Sequence, residues 1–301
     1  MKVAQKFYQN PSIGILGPGA IGCALASRIQ PIVPKLGMIG RQGSVDFQFT
    51  LKSNSDVHKF DLPALENFEL LFVCVKAYQV PGLFAAHRSL FEKPDLEAVI
   101  FLCNGIVDEV VSSDFPSHIP VRMGLTTLAV KPMAATHSYE LMNATEAVVQ
   151  WGAKHAASQL ERDILQLTSH AGLQWCDDID FRRHRKWLYN SALNPVCALH
   201  GLDRNDMAGK FQGEVEELFM EAYELGERLW GAWPESADDL LRSFWLLIQQ
   251  TGANRNSMVV DLSGGRSTEI DFLTGLYRLD PLRNYPQLSA ITTRIHEIQN
   301  A

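Results

Sequence analysis

The chain of 301 residues is long enough for two ordinary domains, and its 46% hydrophobic and 20% charged content is that of a soluble globular protein. The formal net charge of −7 and the lack of a basic stripe argue against nucleic acid as the main partner. No apolar run approaches the roughly 20 residues of a membrane helix, and the polar N-terminal stretch lacks the apolar core of a signal peptide. We therefore expect neither a nucleic-acid partner nor a membrane partner.

The cysteines and histidines show no spacing typical of a disulfide framework or a metal site. An odd number of scattered cysteines is typical of reduced thiols in a cytoplasmic protein. We therefore expect a cytoplasmic location and no bound metal. The five cysteines are Cys23, Cys74, Cys103, Cys176 and Cys197.

A glycine-rich motif follows the first predicted strand. The apolar run at residues 13–16 leads into G-x-G-x-x-G, and residues 23–29 continue as a helix. In such a motif the first glycine allows a tight turn, the second admits a pyrophosphate, and the third allows close helix–strand packing. The pattern predicts a Rossmann dinucleotide-binding domain, with a loop formed by Gly17, Pro18, Gly19, Ala20, Ile21 and Gly22.

The residue that follows the second predicted strand, residues 37–40, bears on the choice of cofactor. A domain that binds NAD usually has an acidic residue there to hold the ribose 2′-hydroxyl, and none lies between Lys35 and Ser44. Arg41 stands where a 2′-phosphate would lie, which favours NADPH. The alternative is an ordinary surface arginine.

Two further predicted strands, residues 69–75 and 98–102, end in polar residues. Ligands of an open α/β sheet bind at the carboxyl ends of its strands. Lys76 is therefore a candidate contact for a phosphate or a carboxylate, and Asn104 for a ribose or a carboxamide. Each is equally compatible with an ordinary loop residue.

Later segments predict the rest of the first domain and a helical second domain. Strands are expected at residues 47–51, 121–130, 139–143 and 147–151, the last three as an antiparallel extension of the sheet, with a helix at residues 155–170. From residue 179 the pattern is helical, with amphipathic helices at residues 213–230, 235–250 and 285–299. The predicted fold class is α/β, with a Rossmann domain at residues 1–177 and an all-helical domain at residues 178–301.

The segment KWLYNSALN, residues 186–194, carries a polar stripe. Lys186, Asn190 and Asn194 recur at intervals of four, which places them on one side of a helix. Pro195 is expected to strain or end that helix. The stripe is either a solvated face or a set of groups that bind a polar ligand.

A second polar segment, residues 254–271, includes Asn254, Ser257 and Glu269. Thr268 and Asp271 fit a capping box, which would place Glu269 in the first turn of a helix. A carboxylate at that position is stabilised by the helix dipole, so capping alone is an adequate explanation for it.

Together these segments resemble the ketopantoate reductase family over nearly the whole chain. The matching motifs are GPGAIG, VKAYQ, FLCNG, KWLYNSALNP and NSMVVDL…STEIDFLTG, in this order. The resemblance implies an N-terminal Rossmann domain, a helical C-terminal domain and an active site in the cleft between them. It also implies NADPH-dependent reduction of 2-dehydropantoate (ketopantoate) to pantoate, on the route to pantothenate and coenzyme A.

The resemblance also assigns roles to individual residues. It makes Lys186 the general acid and Glu269 a catalytic or substrate-binding carboxylate. It makes Asn190, Asn194, Asn254 and Ser257 substrate contacts. The residues that it places on the cofactor side are Gly17, Gly19, Gly22, Arg41, Lys76, Gln79 and Asn104.

Alternatives to ketopantoate reduction stay open at this point. There are three such alternatives. The chain could be a reductase of another small 2-keto acid, a β-hydroxyacid dehydrogenase of similar architecture, or an NADP-binding sensor that catalyses no reaction. The set of polar residues around Lys186 argues against the sensor, which has no evident need for them. The expected partner is a small 2-keto acid, bound to a monomer or a homodimer.

Overall fold

The computed structural model describes residues 10–41, 43–142, 148–153 and 156–301. The chain forms two compact units. The first comprises Met1–Cys103 and Asp108–Arg182, and the second comprises Asn104–Val107 and Arg183–Ala301. The prediction that residues 1–177 bind the cofactor and residues 178–301 the substrate concerns function and stays a prediction.

The described strands all belong to the first unit. The residues predicted as strand ends at 143 and 147 lie outside the described part of the chain. The strands are β1 (Ser12–Leu16), β2 (Lys35–Gly40), β3 (Gly43–Val45), β4 (Phe47–Ser53), β5 (Asp56–Leu62), β6 (Leu70–Val73), β7 (Ala98–Phe101), β8 (Val121–Thr126), β9 (Val130–Pro132), β10 (Ser138–Leu141), β11 (Val149–Gly152) and β12 (Leu173–Trp175).

Eight of these strands form a sheet in the order β12-β11-β8-β7-β6-β1-β2-β3. The five from β8 to β2 run parallel to one another, which is the arrangement of a Rossmann domain. Every residue of β6 and β7 is buried. Because helices cover both faces of such a sheet, these strands are continuous apolar runs with no alternation of polar residues.

The expected antiparallel extension of the sheet is confirmed for one strand and wrong for two. β11 pairs antiparallel with β8, as predicted. β8, from the segment predicted at residues 121–130, runs parallel to its neighbour β7. β10, from the segment predicted at residues 139–143, joins β4, β5 and β9 in a separate four-stranded sheet, in which Tyr139 lies opposite Leu51 of β4. The apolar faces of these strands share one core with the first helix, residues 20–29, and this burial favours the second sheet.

In the described part of the first unit, five α-helices lie wholly within the unit. They are α1 (Ala20–Ile29), α2 (Leu83–Ala86), α3 (Arg88–Phe91), α4 (Asp108–Asp114) and α5 (Gln159–Leu167). α5 accounts for the helix predicted at residues 155–170, whose first residue lies outside the described residues. Ser158 caps it through the backbone N–H of Glu161, and the Glu161 carboxylate accepts from the Ser158 N–H.

The second unit is built from helices, as predicted. Phe219 and Phe244 are fully buried in its core, together with Ile295. No helix in the described part of the chain is long and apolar enough to cross a membrane. The helices are α6 (Ile179–Leu199), whose first four residues belong to the first unit, α7 (Gln212–Trp230), α8 (Ala237–Thr251), α9 (Ser257–Ser263) and α10 (Pro286–Asn300).

Pro195 does not end its helix. α6 continues for four residues beyond Pro195, to Leu199. Proline removes one helical hydrogen bond, but Val196 and Cys197 are completely buried in the core of the second unit. Their burial offsets the lost bond, so packing and not local propensity sets the end of the helix.

The capping box predicted at Thr268 and Asp271 is also wrong. The Thr268 hydroxyl and backbone N–H both donate to Gln299 Oε1, at 3.0 and 2.8 Å. The Asp271 carboxylate accepts from Arg278 and lies 3.0 Å from a ring nitrogen of His296. Glu269 therefore does not lie in the first turn of an α-helix but directly precedes a short 3-10 helix, Ile270–Phe272.

Candidate functional site

The glycine loop has the geometry that its motif predicts. Gly17 has a φ of +108°, and a Cβ there would lie 2.9 Å from the backbone of Cys74. A Cβ on Gly22 would lie 2.2 Å from the Gly17 carbonyl oxygen. At Gly19 a Cβ would meet nothing within 4 Å. The first and third glycines are therefore required by packing, and the second leaves open space.

The residues of this loop fit the diphosphate of a dinucleotide. Helix α1 begins at Ala20, directly after Gly19, and no side chain caps its N-terminus. The first N–H groups of a helix have no intrahelical acceptor and carry the positive end of the helix dipole. Ala20 and Ile21 lie in this first turn, so the open space beside Gly19 adjoins a site suited to a phosphate.

Three further residues predicted on the cofactor side lie after strands of the same sheet. Arg41 is exposed in the turn between β2 and β3. Lys76 follows β6, and Gln79 ends a short 3-10 helix, Ala77–Gln79. The Gln79 Oε1 atom accepts from the Lys76 backbone N–H at 3.0 Å. Gln79 thus holds the backbone of Lys76, and its contact with the cofactor stays a prediction.

The polar stripe of α6 lies in a mostly buried environment. Lys186 and Asn190 are half-buried, and Asn194 is only 8% exposed. Trp187 and Leu188, next to Lys186, are almost completely buried in the core of the second unit. Asn194 therefore does not lie on a solvated face, whereas Lys186 and Asn190 are partly exposed.

Lys186 contacts Asn104, although the two residues are 82 positions apart. The Lys186 ammonium donates to Asn104 Oδ1 at 2.8 Å, and both residues belong to the second unit. The segment after Asn104 is fixed because the N–H of Ile106 donates to the Phe272 carbonyl. Gly105, at a φ of +79°, allows this approach, since a Cβ there would lie 2.5 Å from the Phe272 oxygen.

The environment of Lys186 changes its acidity. Burial of the amine lowers the pKa of Lys186 from 10.5 to about 8, because a charged group is poorly solvated in the protein interior. The nearby Glu269 carboxylate opposes this effect and raises the pKa. Glu269 is itself only 6% exposed. The result is a lysine that can exchange a proton near neutral pH.

Asn194 is held by a residue that the sequence analysis did not select. The Asn256 side chain, 2% exposed, donates from Nδ2 to Asn194 Oδ1 at 3.0 Å. Its Oδ1 accepts from the backbone N–H groups of Met258 and Val259, which caps α9. Asparagine directly before a helix is a recognisable capping signal. The hydrogen bond between Asn256 and Asn194, by contrast, cannot be recognised from the sequence, because the two residues are 62 positions apart.

The remaining predicted substrate contacts lie near this pair of asparagines. Asn254 accepts, through its carbonyl, from the backbone N–H of Asn205, and its side chain is half-buried. Ser257 is the exposed first residue of α9. Asn190 makes no side-chain hydrogen bond with any residue that the structure describes. The structure therefore brings Lys186 to Asn104 and Asn194 to the start of α9.

The fold and these two sets of residues define a class of protein. The first unit has the sheet and glycine loop of a dinucleotide-binding protein, and the second presents a half-buried lysine of lowered pKa beside the neutral carboxamide of Asn104. Within the described residues, no group of three or more His, Cys, Asp and Glu side chains could hold a metal ion. This combination is typical of oxidoreductases that reduce a carbonyl with a dinucleotide.

Comparison with known protein families identifies the family. The model of "Ketopantoate reductase PanE/ApbA" matches residues 13–153, and that of "Ketopantoate reductase PanE/ApbA C terminal" matches residues 178–277. The chain belongs to the ketopantoate reductase family. As a member it is an oxidoreductase that acts on CH–OH groups with a nicotinamide cofactor.

Individual relatives and solved structures agree with this assignment. The chain is 28% identical over 271 residues to a 2-dehydropantoate 2-reductase of Vibrio cholerae, covering 88% of each protein. A D-mandelate dehydrogenase with NADH and anilino(oxo)acetate has a TM-score of 0.81 at 18% identity, covering 96% of this chain and 98% of the other. A dimeric ketopantoate reductase from Staphylococcus aureus has a TM-score of 0.76 at 17% identity, covering 96% and 99%. The two structures show a shared fold.

The glycine loop leads to a prediction that separates packing from ligand binding. Gly22→Ala should lower the free energy of unfolding by about 1–3 kcal/mol or more, because its Cβ would overlap the Gly17 carbonyl. Gly19→Ala should leave the melting temperature unchanged, since Gly19 is extended (φ −91°) and its Cβ meets open space. It should instead weaken binding of the dinucleotide. Thermal unfolding and a fluorescence titration with NADPH and NADH measure the two effects.

The opposite pattern would contradict this interpretation of the loop. If Gly19→Ala destabilised the fold while Gly22→Ala did not, the third glycine would not be the one that packing requires.

Proposed function

We propose that this protein catalyses the NADPH-dependent reduction of 2-dehydropantoate to pantoate, a step of pantothenate and coenzyme A biosynthesis. The observation that carries the proposal is the buried Lys186, with its lowered pKa and its bond to Asn104, in a chain of the ketopantoate reductase family. In this proposal Lys186 is the general acid of the reaction.

Reduction of a ketone places negative charge on the carbonyl oxygen. A reduced nicotinamide, when bound, supplies the hydride. The protonated amine of Lys186 stabilises the charge that develops on the oxygen and then donates a proton to it. A pKa of about 8 suits this role, because the lysine is mostly protonated near neutral pH yet releases its proton readily.

The surrounding carboxamides have a separate role in this proposal. Asn190, Asn194 and Asn254 bind the substrate carboxylate and hydroxyl through neutral hydrogen bonds, with Ser257 as a further contact. A neutral group does not compete for the charge of Lys186, which stays directed at the reacting oxygen. Glu269 keeps the pKa of Lys186 from falling further and either takes part in catalysis or holds the substrate hydroxyl.

The proposed cofactor contacts are the glycine loop and polar residues that follow strands of the large sheet. The glycine loop, Gly17 to Gly22, receives the diphosphate, and Lys76, Gln79 and Asn104 provide polar contacts. The exposed guanidinium of Arg41 after β2 supports NADPH over NADH, because it can pair with a 2′-phosphate.

The proposed setting follows from the same family assignment. The partner is a small 2-keto acid, and the protein acts in the cytoplasm as a monomer or a homodimer. The dimeric relative from Staphylococcus aureus supports the second of these two states.

The direct test of the proposal is NADPH oxidation by the purified protein. Ketopantoate is compared with pyruvate, 2-ketoisovalerate and oxaloacetate at equal concentrations, and absorbance is followed at about 340 nm, where reduced nicotinamides absorb. We expect rapid turnover of ketopantoate alone. Turnover of a different keto acid only would retain the lysine mechanism and reject the substrate. NADPH binding without any turnover would reject the proposed reaction in favour of an untested substrate or a sensor.

Lys186→Ala should lower kcat by roughly 10²–10⁴-fold, the usual effect of losing a general acid. Cofactor affinity should be largely retained. In the wild type, kcat/KM for ketone reduction should fall as the pH rises through about 8, because the required form of Lys186 is protonated. The variant should lose this decrease. Near-normal turnover of Lys186→Ala would contradict the assignment.

Glu269→Gln provides the matched control for the pH dependence. Because the Glu269 carboxylate raises the pKa of Lys186, its removal should move the alkaline decrease in kcat/KM to lower pH. A pH profile measured with saturating cofactor tests this. A shift to higher pH would show that Glu269 does not act on Lys186 in this way.

Arg41→Asp should reduce or reverse the preference for NADPH over NADH. The substituted carboxylate repels a 2′-phosphate and can accept from a ribose 2′-hydroxyl. The measurement is the ratio of kcat/KM for the two cofactors, with Lys35→Asp, at the exposed first residue of β2, as a control for the change of charge. An unchanged ratio in Arg41→Asp would mean that Arg41 does not contact the cofactor.

A further inference from the structure

The bond between Asn194 and Asn256 contains information about the substrate. The Asn256 carboxamide has hydrogen-bond donors on one side and hydrogen-bond acceptors on the other. On one side lie the backbone N–H groups of Met258 and Val259, at 3.0 and 3.4 Å. On the other side lie the carboxamide oxygens of Asn194 and Asn205, at 3.0 and 3.3 Å.

The two backbone N–H groups decide which way Asn256 faces. A backbone N–H can only donate, so the atom that meets both of them must be the Asn256 oxygen, and Nδ2 must face the opposite side. The oxygen and nitrogen of a carboxamide are distinguished by the donors and acceptors around them. Here the cap of α9 removes the ambiguity.

The orientation of the Asn256 carboxamide also determines the orientation of the Asn194 carboxamide. Because Asn256 presents a donor, Asn194 must meet it with Oδ1. The Nδ2 group of Asn194 is then the free end of the carboxamide, and it donates to none of the described residues. In the described part of the chain, three side-chain atoms are fully enclosed and make no hydrogen bond, and Asn194 Nδ2 is not one of them: they are Trp151 Nε1, Ser191 Oγ and Glu235 Oε2. Asn194 Nδ2 therefore remains accessible.

We propose that Asn256 is a positioning residue that fixes Asn194 with its N–H donors directed at the substrate. The atom of the substrate that meets Asn194 is consequently a hydrogen-bond acceptor, either a carboxylate oxygen or an oxygen of a hydroxyl group. This inference rests on the proposed function, in which Asn194 contacts the substrate. It adds the polarity of that contact and the residue that sets it.

Asn256→Asp tests the proposal with little effect on the cap. Aspartate caps a helix as well as asparagine does, and two N–H bonds at a helix N-terminus keep it ionised. It has no donor for Asn194, whose carboxamide should rotate so that Nδ2 faces Asp and Oδ1 faces the substrate. The substrate would lose the Asn194 N–H donor and meet the Asn194 oxygen in its place, which should raise KM for ketopantoate about 10-fold to 100-fold. We expect kcat to stay within about twofold, since Lys186 is untouched.

A double-mutant cycle separates positioning from a general structural effect. In an Asn194→Ala background, Asn256→Asp should change KM by less than about twofold, because it acts through Asn194. An equal rise in KM in both backgrounds would overturn the proposal. If Asn256→Asp does not fold, Asn256→Ser retains a capping hydroxyl and removes the carboxamide donor, and its smaller rise in KM should also disappear with Asn194→Ala.

Asn205→Ala is the control for the second bond of Asn256. It removes the acceptor at 3.3 Å and leaves Asn194 in place. We expect its KM for ketopantoate to equal that of the wild type. A rise as large as that of Asn256→Asp would assign the effect to Asn205 and overturn the role of Asn194.

A measurement without turnover distinguishes failure of this inference from failure of the proposed function. In ¹⁵N-labelled protein, the side-chain NH₂ protons of Asn256 should exchange with water more slowly than those of Asn190, and Asn194→Ala should accelerate their exchange. Rapid exchange of the Asn256 protons in the wild type would overturn the orientation. Slow exchange together with no reduction of ketopantoate would support the orientation and reject only the proposed reaction.

Discussion

The cost of burying the Lys186 amine is the constraint on which the second unit depends. An ammonium group removed from water loses its hydration, and this lowers the pKa of Lys186 to about 8. A hydrogen bond to Asn104 and the nearby Glu269 carboxylate both reduce this cost. A helix that exposed Lys186 would avoid the cost but would lose the acidity that general acid catalysis needs.

Neutral carboxamides connect the segments around this lysine. Asn104 comes from the end of the sheet region, Asn194 from α6 and Asn256 from the start of α9. A carboxamide has a donor side and an acceptor side, so it can link two partners without adding charge to a buried environment. The arrangement satisfies buried polar groups and leaves one donor of Asn194 accessible.

In the first unit, the glycine loop requires backbone segments to approach one another closely. Gly22 packs against the Gly17 carbonyl and Gly17 against Cys74, so the loop is held against the sheet while Gly19 faces open space. The second sheet, β5-β4-β10-β9, covers α1 with buried residues such as Phe49 and Leu141. The glycine loop therefore packs against the residue that follows β6, and α1 is covered by an additional layer of strands.

The sequence by itself determined the elements whose signals are local. The strand, glycine loop and helix α1 follow from adjacent residues, and α7, α8 and α10 follow from apolar spacing, most but not all of which is buried in the core. Tertiary structure decided the pairing of β10 with β4, the continuation of α6 past Pro195 and the partner of Thr268. It also decided that Asn256 meets Asn194, 62 residues earlier in the chain. Such contacts depend on which surfaces become buried together, and no local pattern encodes that.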